Sequence, residues 1–275
     1  MTELLSLPHL LPWTLLLLGI GALAGVLSGL LGVGGGIILV PSFFYTFTAM
    51  GFGGEGVMRV ATATSLATII VTSSRSALAH SRRGAVDWQI VRTWGPGIVI
   101  GALAGALALS HLKSATLQAI FGTLALCVAA LLGFLRSDWR LRDAMPTGWA
   151  RSAWSLAVGF LSTLMGIGGG SFGVPLMTLH GIPMHRAVAT AAAWGVLIAV
   201  PSAAILLLRP VEGAPPLTFG AINLPAFLAI VAMTLLTAPI GVRLAHATDA
   251  RPLKRIFAAF LAIVALNMLR KAAGF

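Results

Sequence analysis

The sequence predicts an all-α polytopic membrane protein made of two homologous halves, and three observations carry this prediction. The 275 residues are 58% hydrophobic and only 9% charged, with a mean hydropathy of +0.97, whereas soluble domains carry about 25% charged residues. Apolar runs of the length that a bilayer requires recur along the chain. A glycine-rich string also occurs twice, SGLLGVGGGIILVP at 28–41 and STLMGIGGGSFGVP at 162–175, with 8 of 14 positions identical.

Each glycine-rich string contains four glycines within five residues, which we call a glycine knot. We do not expect such a segment to stay helical, and backbone that leaves the helix at membrane depth is tolerated only where it is buried in protein or lines a cavity. Two interruptions at matching places in two halves point to the binding site of a secondary transporter. The knot glycines are therefore candidate binding residues: Gly32, Gly34, Gly35 and Gly36 in the first half, and Gly166, Gly168, Gly169 and Gly170 in the second.

The duplication extends beyond the knots and sets the boundaries of the halves. The block VATAT at 60–64 is matched by VATAA at 188–192. The halves are therefore 1–140 and 141–275, the first and second transmembrane repeats. The apolar pieces flanking the second knot, and the piece after the first, are shorter than the ~20 residues of a full span. Each half should thus contain a glycine-interrupted helix, as half-helices or a hairpin, and about three full transmembrane helices.

The loop cations favour inverted repeats. If each half crosses the membrane an even number of times, the 17 loop cations divide 10 to 7. If each knot is a reversal, so that each half makes an odd number of crossings, they divide 12 to 5, and only Arg59, Lys113, Arg209, Arg270 and Lys271 face away from the majority. Because positive charge accumulates in cytoplasmic loops, the second arrangement is preferred. It places the N-terminus outside the cytoplasm.

Charge and side-chain chemistry exclude several classes of function. The net charge of +11 comes from Lys and Arg in short loops, which is a topogenic pattern, and we do not expect a nucleic-acid partner. Cys127 is the only cysteine, and the carboxylates all lie in loops or at the ends of apolar runs. We therefore expect no catalytic residues, no metal, no cofactor and no carboxylate proton relay. The expected surroundings are membrane lipids, and nothing in the sequence indicates an oligomeric state.

The residues around the knots suit a compact anion. A helix that begins after a knot presents free N–H groups and a partial positive charge, and helix N-termini bind anions for this reason. Arg75 is the only cation well inside a span, and an intramembrane charge is a functional hypothesis, although Arg75 also lies near enough to the interface to snorkel. Hydroxyl side chains expected beside the knots, or early in the helix after each knot, complete the candidate set: Ser28, Thr62, Thr64, Ser65, Ser162, Ser171 and Thr190.

These motifs resemble the sulfite exporter TauE/SafE family of membrane transporters. The resemblance rests on GLLGVGGGIILVP at 29–41, MGIGGGSFGVP at 165–175 and the blocks VATATSL and AVATAAAW that follow. It implies export of small sulfur-containing anions, such as sulfite or sulfoacetate, across a bacterial-type inner membrane. One departure concerns the Thr-Ser pair of the family, which is present here as Thr64-Ser65 but is replaced by Ala192-Ala193 in the second half.

Other functions remain open at the level of the sequence. The same anions could be taken up rather than exported, since a sequence does not fix direction. The knots could form the filter of an anion channel, which would show an ohmic current instead of saturating flux. A scaffold that transports nothing is the alternative from a different class, and it leaves the matched Ser28 and Ser162 unexplained.

Overall fold

The computed structural model describes residues 7–31, 35–134, 139–247 and 250–274, and within them the chain is almost entirely helical. Two very short strands form an antiparallel pair in which Thr218 faces Asn223. In chain order the elements are α1 (Leu7–Leu31), α2 (Gly36–Ala49), α3 (Val57–Arg82), α4 (Trp88–His111), α5 (Ser114–Phe134), α6 (Gly148–Met165), α7 (Gly170–Leu179), α8 (Met184–Leu207), β1 (Thr218–Phe219), β2 (Ile222–Asn223), α9 (Leu224–Ala247) and α10 (Ala250–Ala272).

The predicted all-α membrane architecture is confirmed. Within the part of the chain that the structure describes, five helices are long and apolar enough to cross a bilayer: α3, α4, α5, α8 and the first 18 residues of α9. The helices that follow the knots are shorter, with 14 residues in α2 and 10 in α7. At 1.5 Å per residue they extend about 21 and 15 Å, which is less than the ~30 Å of the hydrocarbon core.

The second glycine knot ends one helix and reverses the chain. Helix α6 stops at Met165, and Gly166 adopts the left-handed conformation with φ of +65°, which glycine reaches without the penalty of a Cβ. The amides of Gly166 and Ile167 close the last turn on the carbonyls of Thr163 and Ser162. Helix α7 then returns, because its final carbonyl at Leu179 accepts from the amide of Leu141, just before α6 begins. Helices α6 and α7 form a re-entrant hairpin.

Helices α3 and α8 pack antiparallel at the centre of the molecule. At one end, Asp87 caps α4 by accepting from the amide of Ile90, and its carboxylate pairs with Arg186 near the start of α8 at 2.9 Å. At the other end, Gly56, just before α3, lies against Val211, just after α8. Helix α3 is the more deeply buried of the two, with a continuous run of buried residues from 60 to 69.

Two helix pairs flank this centre through close backbone contacts. Helix α1 packs along α9, and α6 packs along α4. Gly105 of α4 lies against the carbonyl of Phe160 in α6, and Gly241 of α9 lies against the carbonyl of Val26 in α1. Small residues permit such close approach between helices in a membrane. A third pair is formed by α5 and α10, which pack on each other.

Candidate functional site

A small cavity lies where the second knot meets α1, α3 and α8. Its volume is about 50 Å³, measured as the space open to the centre of a water-sized sphere. By the same measure, one water molecule needs about 10–15 Å³. The cavity therefore suits a few waters or one small polyatomic ion. Its lining consists of Ser28 from α1, Thr72, Ser73 and Ser76 from α3, Gly168, Gly169 and Gly170 from the second knot, and Ala191 and Ala192 from α8.

The N-terminus of α7 forms one wall of the cavity. Gly169 is the N-cap residue and provides no side chain to cap the helix. The amide of Gly173 bonds to the carbonyl of Gly169, whereas the amides of the first turn have no intrahelical acceptor. The wall thus presents N–H donors and the positive end of a helix dipole.

Hydroxyl residues of α3 form another part of the cavity lining. Ser73 and Ser76 are three residues apart and so share one face of the helix. The Ser73 side chain is only 8% exposed, yet its hydroxyl makes no hydrogen bond to any residue that the structure describes. Ser73 Oγ lies next to both the knot and α8, since it would stand 3.7 Å from a Cβ placed on Gly168 and 2.5 Å from one placed on Gly195. Thr72 is committed elsewhere, since its hydroxyl donates to the carbonyl of Thr68 at 3.2 Å.

None of the described residues that line the cavity has an ionised side chain. They are serine, threonine, glycine and alanine. Arg75, which lies between Ser73 and Ser76 in sequence, is exposed on α3 and is not one of the lining residues. Among these lining residues, the N-terminus of α7 is the source of positive partial charge, and none of them is a carboxylate that would oppose an anion.

The structure brings four of the candidate residues to the cavity and distributes the others. Ser28, Gly168, Gly169 and Gly170 line it. Gly32 and Gly34 lie outside the described residues. Gly36 instead contacts the second knot, because a Cβ on it would stand 2.8 Å from the carbonyl oxygen of Gly166. The neighbouring Gly35 donates its amide to Ser28 Oγ at 3.2 Å.

Several candidate hydroxyls are bonded inside the protein. Ser65 Oγ donates to the carbonyl of Gly166 at 2.7 Å. Thr64 Oγ1 accepts from the amide of Asn223, and Thr190 Oγ1 accepts from the amide of Asp87, each at 3.0 Å. All three side chains are fully buried. In this structure they join the helices to one another and to the knot.

Three further candidates are buried without a hydrogen-bond partner among the described residues. They are Thr62, Ser162 and Ser171, with side chains no more than 2% exposed. The expectation that Thr62, Thr64, Ser65 and Thr190 sit early in the helix after each knot is wrong, because α2 and α7 come in between. These short helices return the chain to the membrane surface before α3 and α8 begin.

The two central glycines of the second knot have different surroundings. A Cβ on Gly169 would meet Trp194 Cβ at 2.6 Å and the carbonyl oxygen of Ala191 at 2.7 Å. Trp194 in turn stacks on Trp94 with ring centroids 5.4 Å apart. Gly169 is thus required for packing α7 on α8. A Cβ on Gly168 would meet Ile69 Cγ2 at 3.4 Å, and Gly195 Cα and Ser73 Oγ at 3.7 Å, all ordinary contact distances. This glycine lines the cavity.

Sequence reasoning missed the hydroxyl lining formed by Thr72, Ser73 and Ser76. The available signal was the run TSSRS at 72–76, in which hydroxyls recur three and four residues apart on one helical face. In this segment the sequence singles out the charge of Arg75 and not the neighbouring hydroxyls.

The donor set suits binding rather than catalysis. Within the described residues, no three His, Cys, Asp or Glu side chains lie close enough together to hold a metal ion. The cavity offers amides and hydroxyls, which can replace part of the hydration shell of an anion. Glycine and alanine complete the lining and leave space for it.

Comparison with known proteins identifies the family to which the chain belongs. Residues 17–268 match the family model described as sulfite exporter TauE/SafE. A probable membrane transporter protein of Haemophilus influenzae is 32% identical over 261 residues, which cover 94% of this chain and 98% of that protein. A probable membrane transporter protein of Methanocaldococcus jannaschii is 26% identical, covering 92% of this chain and 94% of that protein. No solved structure matches. The chain belongs to the sulfite exporter TauE/SafE family and is an integral membrane transporter.

Proposed function

We propose that this transporter binds a small sulfur-containing anion, sulfite or an organosulfonate such as sulfoacetate, in the cavity beside the second knot and exports it. The observation that carries the proposal is that the α7 N-terminus lines the same cavity as the Ser73 hydroxyl, which has no hydrogen-bond partner among the described residues. Both supply donors, and none of the described lining residues is a carboxylate that would repel a negative charge.

The dimensions of the cavity favour a compact substrate. Space of about 50 Å³ for the centre of a water-sized sphere accommodates an oxyanion headgroup in place of a few waters. A sulfite or sulfonate group has three oxygens, and each can accept from an amide or a hydroxyl. The absence of a lining cation matches a substrate that must be released again, because a buried ion pair is costly to separate.

The choice of sulfur chemistry and of export rests on the family. The description of the family names sulfite export, while the printed names of the relatives say only that they are membrane transporters. Export needs no coupling ion on energetic grounds. With a negative cell interior, moving one negative charge outward gains about 2.3 kcal/mol per 100 mV, so a dianion could sustain roughly a 10³-fold gradient.

The test is a flux assay with the purified protein in liposomes. The panel contains sulfite, sulfoacetate, taurine, thiosulfate and sulfate, with an imposed membrane potential of either sign. We expect saturable flux of sulfite or sulfoacetate that increases when the destination compartment is positive. Flux that occurs only when the destination compartment is negative would indicate import instead of export. A current that does not saturate with anion concentration would indicate a channel. The absence of flux for every anion would overturn the proposal.

A further inference from the structure

The contacts of the two halves are exchanged residue for residue. Gly105 contacts the carbonyl of Phe160, and Gly241 contacts the carbonyl of Val26. In the duplication, Gly241 is the counterpart of Gly105, and Val26 is the counterpart of Phe160. Helices α3 and α8 occupy corresponding places in the two halves and run antiparallel. An operation that exchanges two antiparallel helices is a rotation about an axis perpendicular to them. For membrane-spanning helices, that axis lies in the plane of the bilayer.

The same exchange gives counterparts for part of the cavity lining, whereas the hydroxyl residues Thr72, Ser73 and Ser76 correspond to Val200, Pro201 and Ala204. Ser28 corresponds to Ser162, and Gly169 and Gly170 correspond to Gly35 and Gly36 at the start of α2. Ala192 corresponds to Thr64. Two of these counterparts are closed off from solvent in the structure. The side chains of Ser162 and Thr64 are 0% exposed.

The contact between the knots closes the counterpart region. Gly36 packs on the second knot, where a Cβ would stand 2.8 Å from the carbonyl oxygen of Gly166 and 3.0 Å from the Cα of Ile167. Ser65 Oγ donates to the same Gly166 carbonyl at 2.7 Å. These contacts join the start of α2, the second knot and α3 into one barrier.

Two hydroxyls enclosed by this barrier have no hydrogen-bond partner among the described residues. They are Thr62 Oγ1 and Ser162 Oγ, and both side chains are 0% exposed. They flank the same turn: Thr62 Cγ2 lies next to Gly166, and the carbonyl of Ser162 accepts from the amide of Ile167. A buried hydroxyl without a partner is unfavourable. It becomes understandable if another state of the molecule provides the partner.

We propose that Ser162 and Thr62, together with the N-terminus of α2, form a second anion half-site that is closed in this structure. The transporter alternates between the open cavity beside α7 and this half-site, which opens to the opposite face when the contact between Gly36 and Gly166 separates. The inference rests on the proposed function for the nature of the ligand. The position of the half-site and its opening rest on the contacts alone.

The experiment measures the accessibility of single cysteines in a Cys127→Ser background, reconstituted in liposomes of known orientation. Ser28→Cys and Ser162→Cys are treated with a charged, membrane-impermeant thiosulfonate reagent from either face, in the absence of sulfite because sulfite consumes the reagent. We expect Ser28→Cys to react from the face that carries the α3–α4 loop. Ser162→Cys should react only from the other face, and more slowly. Ser81→Cys and Gly213→Cys, at opposite ends of the molecule, mark the two faces.

A latch variant gives a second readout. Ser65→Ala removes the hydrogen bond to Gly166, so the barrier should open more often, and the reaction of Ser162→Cys should accelerate roughly tenfold. The reaction of Ser28→Cys should slow in the same variant. If Ser162→Cys does not assemble, Thr62→Cys reports on the same half-site.

The outcomes separate this inference from the proposed function. Reaction of Ser162→Cys or Thr62→Cys from the same face as Ser28→Cys, or from neither face in a variant that still transports, would overturn the second half-site. The labelling pattern does not depend on substrate identity. A failure of the sulfur anions in the flux panel would therefore remove the proposed substrate and leave the half-site standing.

Discussion

The buried serine and threonine side chains of α3 differ in whether their hydroxyls are already hydrogen-bonded within the protein. The Ser65 hydroxyl donates a hydrogen bond to the Gly166 carbonyl, and the Thr64 hydroxyl accepts one from the amide of Asn223. Ser73 is almost as deeply buried, but it lies next to the knot in the cavity lining and has no protein partner among the described residues. A substrate can compete for a hydroxyl only where no backbone group has already taken it. We therefore expect Ser73 to matter more to binding than the threonines that precede it in α3.

Replacing Ser73 should weaken anion binding without unfolding the protein. Hydrogen bonds to charged groups contribute about 1.5–3 kcal/mol, so Ser73→Ala should raise the Kd or the flux KM for the preferred anion at least roughly tenfold. Ser74→Ala is the matched control, because Ser74 is its exposed neighbour on the same helix. An equal effect of the two substitutions on KM would remove Ser73 from the site.

At the scale of elements, the glycine knot is the feature that the sequence predicts best. Four glycines in five residues imply a break in the helix, and α6 does end at Met165 before α7 begins at Gly170. The glycine pattern does not reveal which glycine faces space and which faces a neighbour. That depends on α8, where Trp194 occupies the side of Gly169 and leaves Gly168 beside Ser73.

Alanine should therefore reduce flux at position 168 and reduce stability at position 169. Gly168→Ala places a methyl group at ordinary contact distance, 3.4 Å from Ile69 Cγ2, where it narrows the cavity. We expect reduced flux and a nearly unchanged unfolding temperature. Gly169→Ala forces the methyl group against Trp194 and the Ala191 carbonyl, and overpacking of this kind costs about 1–3 kcal/mol.

Thermal unfolding in detergent and flux in liposomes separate the two variants. Gly133→Ala is a mild control, since its Cβ meets only Ala258 at 3.8 Å. If Gly168→Ala lowers the unfolding temperature as much as Gly169→Ala while flux per folded molecule is unchanged, then Gly168 is a packing residue and the knot does not border the substrate.

The face of α3 that lines the cavity illustrates what the sequence cannot supply. The hydrophobic pattern identifies α3 as a span, but a helix surrounded by protein has no lipid-facing stripe to orient it. Arg75 and Ser73 are therefore equally plausible as lining residues from the sequence. In the structure, contacts with α8 fix the rotation of the helix, so that Ser73 lies inside and Arg75 is exposed.

At the scale of the whole molecule, the ends of α3 and α8 define two faces. The salt bridge between Asp87 and Arg186 marks one face, and the contact between Gly56 and Val211 marks the other. The cations Arg82 and Arg83 end α3 at the first face. The positive-inside rule therefore predicts that this face, with the cavity beside α7, is cytoplasmic.

Cysteine labelling in intact cells tests this orientation. In a Cys127→Ser background, Ser81→Cys and Met184→Cys should be protected from an impermeant maleimide until the cells are lysed. Gly53→Cys and Gly213→Cys should react before lysis. Reaction of Ser81→Cys and Met184→Cys on opposite sides would contradict the fold, and reversal of the whole pattern would turn the cavity toward the exterior.

Substrate protection of a cysteine in the cavity is the measurement that tests the central claim most directly. Ser76→Cys in the Cys127→Ser background is modified by a thiosulfonate reagent in the presence of increasing sulfoacetate, which does not itself consume the reagent. Choline, a cation, serves as the control. We predict that sulfoacetate slows the modification, with half-protection near its flux KM, and that choline does not. Saturable sulfoacetate flux in the same variant, with no protection at any concentration, would show that the anion binds elsewhere.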